Sequence, residues 1–345
     1  MQTRILKINP KRPQIDKIKQ AAKLIKDKKL VAFPTETVYG LGANALDSFA
    51  VKKIFLAKGR PADNPLIIHI YDKVDLQKLA RGIPHITKKL TDRFWPGPLT
   101  VVLKKSKLVP CIATGGLDTV AIRMPKNKIA QLLIRESGVP IAAPSANFAG
   151  RPSPTLAKHV FEDLKGRIGL IIDGGQTRIG IESTVIDLSR KTPMLLRPGA
   201  ITLEQLQRTI GKIDLHPILR GKKSKTHRSP GMKYRHYSPN AKIILIEGQK
   251  HQVNKKISHL IQTYKGKRVG IMTMDKTFSP KSNLTKFMGN SYNKIATNLF
   301  KTLREFDSKK IDIVLVQGTG KKGLGLGIMN RLGKAAYKKI RVREN

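Results

Sequence analysis

Residues 55–71, "FLAKGRPADNPLIIHIY", carry the reading of the fold. Phe55 closes a run of apolar residues at helical spacing (Val51, Ile54, Phe55), and Gly59 can end that helix with positive φ. Ser48 is the expected N-cap at the other end. After a polar turn holding Asp63 and Asn64, residues 66–71 form an apolar run short enough to be a buried strand. Helix, glycine stop and buried strand in succession describe an α/β chain. Two cations, Lys58 and Arg60, stand at the mouth of that strand, and His69 lies inside it. Cations in such a place meet either solvent or a bound anion.

The alternation continues on both sides. Ile15, Ile18, Ala22 and Ile25 repeat at helical spacing, and "LVAFP" follows as a buried strand ended by Pro34. Further strands are read at "LTVVLK", "TVAIRM", "VPIAAP", "IGLIID", "STVIDL" and "MLLRP", with helices over 129–137, 155–166 and 203–210. The last two strands are joined by too few residues for a crossover helix, so the sheet is expected to be mixed, parallel and antiparallel. Residues 212–241 are basic, polar and without apolar period, which reads as a linker. The alternation then restarts with "KIILIE", "RVGIM" and "IDIVLVQ" separated by helical stretches. The expected organisation is a first domain over 1–211, a linker over 212–241 and a smaller three-layer α/β domain over 242–345.

The 67 Lys and Arg against 23 Asp and Glu give a formal charge of +44 over 345 residues. Such charge draws polyanions, or reflects a bias spread over the whole chain. Two stretches concentrate it. Residues 212–242 hold Asp214 as their one acidic residue, and 313–343 hold none while Lys321, Lys322, Arg331, Lys334, Lys338, Lys339, Arg341 and Arg343 accumulate. No apolar run reaches a membrane span, and the first ten residues lack a signal-peptide core, so a cytoplasmic protein is expected. The single Cys111 excludes an internal disulfide, and the eight histidines show no metal-ligand spacing.

Four stretches can carry chemistry. "FPTETVYGLGANA" sets hydroxyls (Thr35, Thr37, Tyr39) after a strand, with Gly40 and Gly42 following; this suits an anion site, or a glycine turn with self-bonded threonines. The Lys58–Arg60 pair can clamp polyphosphate oxygens or serve as helix-dipole partners. "AAPSANFAGRPSPT" places Ser145, Asn147 and Ser153 after a strand, where α/β sheets hold ligands. "GLDTVAIRMP", "GIESTVIDL" and "LLRPG" carry Thr119, Arg123, Ser183, Thr184 and Arg197. An arginine inside an apolar strand needs a partner, either Asp187 or Asp118, or a substrate carboxylate. A literal G-x-G-x-x-G at Gly318, Gly320 and Gly323 lacks the acidic residue that follows in a dinucleotide site and reads as a structural turn.

In their order along the chain, "PTETVYGLG", "AKGRPADNPL", "WPGPLT", "GLDTVAIRMP", "PIAAPSAN", "GIESTVIDL", "LLRPG" and "SPGMKYRHYSP" resemble the threonylcarbamoyl-AMP synthases, the YrdC-like family, in its long form. The resemblance implies a twisted mixed sheet of YrdC type, a linker crossing the active site, and a C-terminal Rossmann-like domain. It implies synthesis of threonylcarbamoyl-adenylate from L-threonine, bicarbonate and ATP, with a separate tRNA threonylcarbamoyl transferase downstream. By match to the family's motifs, Thr35, Thr37, His69, Arg123, Ala143 (backbone) and Ser183 hold threonine. Lys58, Arg60, Asn64, Thr119, Ser145, Asn147, Ser153 and Arg197 hold ATP, with His236 and Tyr237 reaching the nucleotide from the linker. Lys58 and Arg60 are the expected catalytic pair, Mg²⁺ is expected with the phosphates, and no tightly bound organic cofactor is implied. The alternatives are a non-catalytic RNA-binding protein and a carbamoylphosphate-using enzyme; the second requires Cys clusters that this chain lacks.

Overall fold

The helix that closes at Lys58 begins one residue after its cap. Asp47, not Ser48, is the N-cap, its carboxylate accepting from the Ala50 N–H at 2.8 Å, and the helix runs Ser48–Lys58. Asp47 is the stronger cap because Lys28 holds its carboxylate at 2.8 Å. Gly59 ends the helix at φ 58, as expected for a left-handed stop. The following apolar run is a strand only over Ile67–His69, all three residues buried.

The computed structural model describes residues 1–221 and 237–342. It divides into two units, Met1–Ala149 with Ser153–Tyr234, and Gly150–Pro152 with Arg235–Asn345. The first unit holds a mixed sheet whose order is Arg4–Lys7, Leu170–Asp173, Val31–Pro34, Tyr39–Asn44, Ile141–Ala142, Ile67–His69, Thr119–Arg123, Leu99–Lys105, Thr184–Asp187, Met194–Arg197 and Asp214–Leu215. Ile67–His69 runs parallel to Thr119–Arg123, which runs antiparallel to Leu99–Lys105. Helices Ile15–Lys26 and Lys128–Ser137 pack with Val31, Phe33, Leu170 and Ile172 into one core. Helix Ser48–Lys58 packs with Ile68, Val101 and Ile122 into the larger one. Because side chains alternate along a strand, Ile68 and Ile122 face this core. His69 and Arg123, direct neighbours across the two strands, point to the other face.

Several elements differ from the sequence reading. Tyr39–Asn44 is a strand antiparallel to Val31–Pro34, so 35–38 is a hairpin turn. Its glycines serve packing: a Cβ on Gly42 would lie 2.7 Å from the Phe33 ring and 2.8 Å from Ile141. The stretch "VPIAAP" is a strand only over Ile141–Ala142, and the helix expected over 155–166 is Ala157–Leu164. The segment read as a linker begins with structure. Asp214–Leu215 pairs parallel with Met194–Arg197, and Pro217–Arg220 forms a 3-10 turn.

The second unit has a five-stranded, fully parallel sheet in the order Leu284–Phe287, Val269–Thr273, Ile313–Gln317, Lys242–Glu247, Lys338–Arg341. Its helices are Lys250–Thr263, Tyr292–Ser308 and Leu324–Ala335. The glycine-rich turn is structural, as read: a Cβ on Gly325 would sit 2.0 Å from the Gly320 carbonyl, and one on Gly320 2.7 Å from the Tyr292 hydroxyl. Arg331, read as part of a polyanion surface, is fully buried, its guanidinium donating to the Gly327 carbonyl. Lys321 is held by Glu247 at 2.5 Å.

Gly59→Ala tests how firmly the helix stop is set. The added Cβ would be 2.8 Å from the Phe148 ring at a positive φ. A loss of about 1–3 kcal/mol in stability is expected, read by denaturant unfolding.

Candidate active site

The turn between Val31–Pro34 and Tyr39–Asn44 is built from its own hydroxyls. Thr35 Oγ1 donates to the Val38 carbonyl at 2.7 Å and accepts from the N–H groups of Thr37 and Val38. Thr37 Oγ1 lies 2.8 Å from Thr35 Oγ1 and accepts from Arg123 Nη1 at 3.0 Å. An arginine only donates and each hydroxyl has one proton, so the direction is fixed: Arg123 to Thr37, Thr37 to Thr35, Thr35 to Val38. Thr37 therefore meets a further ligand only as an acceptor. Tyr39 takes no part. Its hydroxyl donates to the Gly175 carbonyl at 2.7 Å, and burial raises its pKa.

Arg123 is 3% exposed at the end of its strand. Neither aspartate expected beside it is its partner. Asp187 accepts from Ser189 instead, and Asp118 is exposed. The partner is Glu36, whose Oε1 lies 2.7 Å from Arg123 Nη2. The hairpin turn thus brings its carboxylate to a guanidinium whose strand lies two strands beyond Ile141–Ala142, the neighbour of Tyr39–Asn44 in the sheet. Arg123 Nε donates to the Gly97 carbonyl at 3.3 Å.

His69 stands beside Arg123, with Phe33 edge-on at 6.4 Å. Its Nδ1 is 3.2 Å from the Ile67 carbonyl, and in the tautomer that donates there Nε2 is the acceptor of a neutral ring. Burial, reinforced by the Arg123 charge, pushes the imidazole down from 6.5 to about 3. Thr100 pairs with Arg123 across the next strand and places Oγ1 2.8 Å from Ser183 Oγ. Arg197 grips Ser183 twice, Nε to its carbonyl at 3.0 Å and Nη2 to its hydroxyl at 3.1 Å. Ala143 gives its N–H to the Ile67 carbonyl at 2.9 Å, so only its carbonyl is left for a ligand.

A second group adjoins the first. Lys58 is 1% exposed, and its ammonium donates to the carbonyls of Ser145 and Asn147, each at 2.5 Å. Arg60 Nη2 donates to the carbonyls of Asn64 and Pro65, both at 3.1 Å. The Asn64 amide nitrogen is buried without a protein hydrogen-bond partner. Ser145 Oγ donates to Asn147 Oδ1 at 2.6 Å, and Ser153 Oγ to Glu182 Oε1 at 2.5 Å. Thr119 is buried. Glu182 and Ser183 are adjacent, so one short loop touches Ser153, Arg197 and Thr100. The structure thus links Thr35, Thr37, Arg123, Ser183 and Arg197 in one set of contacts, and Lys58, Ser145 and Asn147 in another, while Tyr39, Asp118 and Asp187 stand apart from both. His236 lies outside the described residues, and Tyr237 belongs to the second unit, where its ring stacks on Phe300 at 5.2 Å. Glu36, Thr100 and Glu182 were not foreseen; the sole signal for Glu36 was its place between two hydroxyl residues in a turn.

Two sequence families match the chain. One, described as "Telomere recombination" (Sua5_yciO_yrdC), covers residues 23–199. The other, described as "Threonylcarbamoyl-AMP synthase, C-terminal domain", covers residues 201–337. The threonylcarbamoyl-AMP synthase of Pyrococcus abyssi is 55% identical over 94% of this chain and 96% of its own length. The chain belongs to the threonylcarbamoyl-AMP synthase family. The Bacillus subtilis member is 50% identical over 92% of each chain. Among solved structures, that of P. abyssi Sua5 complexed with L-threonine superposes with a TM-score of 0.95 at 54% identity, covering 99% of this chain and 100% of that one. The resemblance read from the motifs and the mixed sheet are both borne out.

The buried His69 has a signature in this synthase-family chain. The native ring stays neutral to about pH 3 while the unfolded ring protonates near 6.5. Native stability therefore falls as pH drops through that window, by up to about 1.4 kcal/mol per pH unit. Unfolding titrations at pH 7 and 4.5 should show this loss, and His69→Gln should remove that share of it.

Proposed function

We propose that this protein makes L-threonylcarbamoyl-adenylate from L-threonine, bicarbonate and ATP, releasing pyrophosphate. The observation that carries the reading is the buried cluster of Arg123, neutral His69, Thr37 and Ser183, with Ser153 and Arg197 tied to the same 182–183 loop. Full-length relatives that carry the synthase name at 50–55% identity give it its chemistry.

Arg123 answers the threonine carboxylate, and His69 Nε2 and Thr37 Oγ1 accept from its donors. Once the ammonium has given a proton to solvent, the free amine and bicarbonate form a carbamate with loss of water, and the carbamate is already anionic and needs no strong base to attack. A carbamate oxygen then displaces pyrophosphate at the α-phosphorus in line. The demand on the protein is placement and stabilisation of charge on phosphate oxygens. Arg60 supplies a guanidinium fork and Asn64 an unspent amide. Lys58 contributes its charge and, through its bonds to Ser145 and Asn147, fixes the loop that meets the nucleotide. Thr119, Ser153 and Arg197 complete the ATP set. Among the described residues no three carboxylate, histidine or cysteine side chains converge. Mg²⁺ would accordingly draw its ligands from phosphate oxygens and water and neutralise the triphosphate.

The product belongs upstream of a tRNA threonylcarbamoyl transferase that modifies an adenosine beside the anticodon, in the cytoplasm. No described helix is long and apolar enough to cross a membrane. The exposed cations of the second unit would offer RNA a contact surface.

The test is pyrophosphate release that requires threonine and bicarbonate together. Arg60→Ala should lower it by about a hundredfold or more with folding intact. Lys58→Ala should lower it as far and also raise the ATP KM, since the 145–147 loop loses its anchor. Salt-sensitive RNA binding without threonine-dependent turnover would sink the enzyme reading.

A further inference from the structure

Glu36 takes no part in the chemistry above, yet it is buried in the threonine pocket. It stands between Thr35 and Thr37, its side chain 9% exposed, and both carboxylate oxygens lack a protein hydrogen-bond partner. Its Oε1 is 2.7 Å from Arg123 Nη2, but Nη2 also makes no protein hydrogen bond. The other guanidinium nitrogens are engaged, Nε by the Gly97 carbonyl and Nη1 by Thr37. The two charges meet, but the N–H directions miss the carboxylate. A buried donor or acceptor left unmade costs about 1–3 kcal/mol, and more when charged.

One kind of ligand relieves both partners at once. It carries an acceptor for Nη2 and a cationic donor for Glu36, which is the chemistry of an amino-acid zwitterion. We propose that Glu36 is the counter-ion for the ammonium of the incoming amino acid, and that with Arg123 it selects zwitterions over simple carboxylates. This rests on the reading of the pocket as the threonine site. The charge count agrees. A neutral Arg–Glu pair that receives a zwitterion stays neutral, whereas a carboxylate without an ammonium adds an uncompensated negative charge beside Glu36. The backbone holds Glu36 in place for this: its carbonyl accepts from the Ile179 N–H at 2.9 Å, and the Thr37 carbonyl from Gly180 N–H at 3.1 Å. The loop that carries Ser183 therefore braces the turn from outside. Glu36 is a positioning and selecting group; no bond to the reacting phosphorus runs through it.

The experiment compares two ligands of the full-length protein by calorimetry: L-threonine, and 3-hydroxybutyrate, the same skeleton without its amine. The unmodified protein should bind threonine and reject 3-hydroxybutyrate. Glu36→Gln should weaken threonine by roughly thirtyfold or more, the lower end for removing one member of a buried charge pair. Binding of 3-hydroxybutyrate should hold or improve, so the discrimination collapses. The ATP KM should not move, and Glu36→Asp should recover part of the threonine affinity. An unchanged threonine-to-hydroxybutyrate ratio in Glu36→Gln overturns the proposal. So does a parallel loss of both ligands and of ATP, which would mark a purely structural role. An unmodified protein indifferent to threonine overturns the synthase reading itself.

Discussion

Arg123 is the constraint around which the first unit is arranged. A guanidinium on a central strand, 3% exposed, cannot be left without partners, because removing one member of a buried charge pair costs about 3–5 kcal/mol. Its partners come from two places in the chain: Glu36 and Thr37 from the hairpin turn, and the Gly97 carbonyl from the bend before Leu99–Lys105. Those contacts fix the turn, and the turn fixes the loop 179–183 through two backbone hydrogen bonds. Ser183 then ties in Arg197 and Thr100. One buried charge thereby sets the relative positions of four segments remote from each other in sequence.

The sheet makes this arrangement affordable in space. With Ile68 and Ile122 turned to the main core, the opposite face of the same strands is free to carry His69 and Arg123. The glycines of Tyr39–Asn44 leave room for the Phe33 ring, which meets His69 in a T-shaped contact. Polar chemistry on one face and apolar packing on the other is an ordinary consequence of strand alternation. Here it puts a neutral imidazole and a charged guanidinium side by side.

Much of this architecture was legible in the sequence, for identifiable reasons. Helix Leu203–Ile210 has the bounds read for it because Thr202 and Gln205 form a capping box. Lys128–Ser137 is framed by the Asn127 cap and by Gly138. Tyr39–Asn44 escaped because two glycines in six residues suppress a strand signal, and here they answer a packing demand that only the fold reveals. Arg4–Lys7 and Lys338–Arg341 escaped because short, basic edge strands show little apolar pattern. In the site, the ordered motifs named the family and nearly all the residues that converge in the first unit. What they could not give was pairing: Asp187 and Asp118 were the partners expected for Arg123, and Glu36 was not among them.

The lodging of Lys58 has one more consequence. Most of the chain's many basic side chains are open to water, but this ammonium is enclosed and held by two loop carbonyls. Amine-acylating reagents, whether a laboratory anhydride or a metabolic acyl donor, would mark the surface lysines early and Lys58 last. Its degree of modification would then count how often the Ser145 and Asn147 carbonyls release the ammonium.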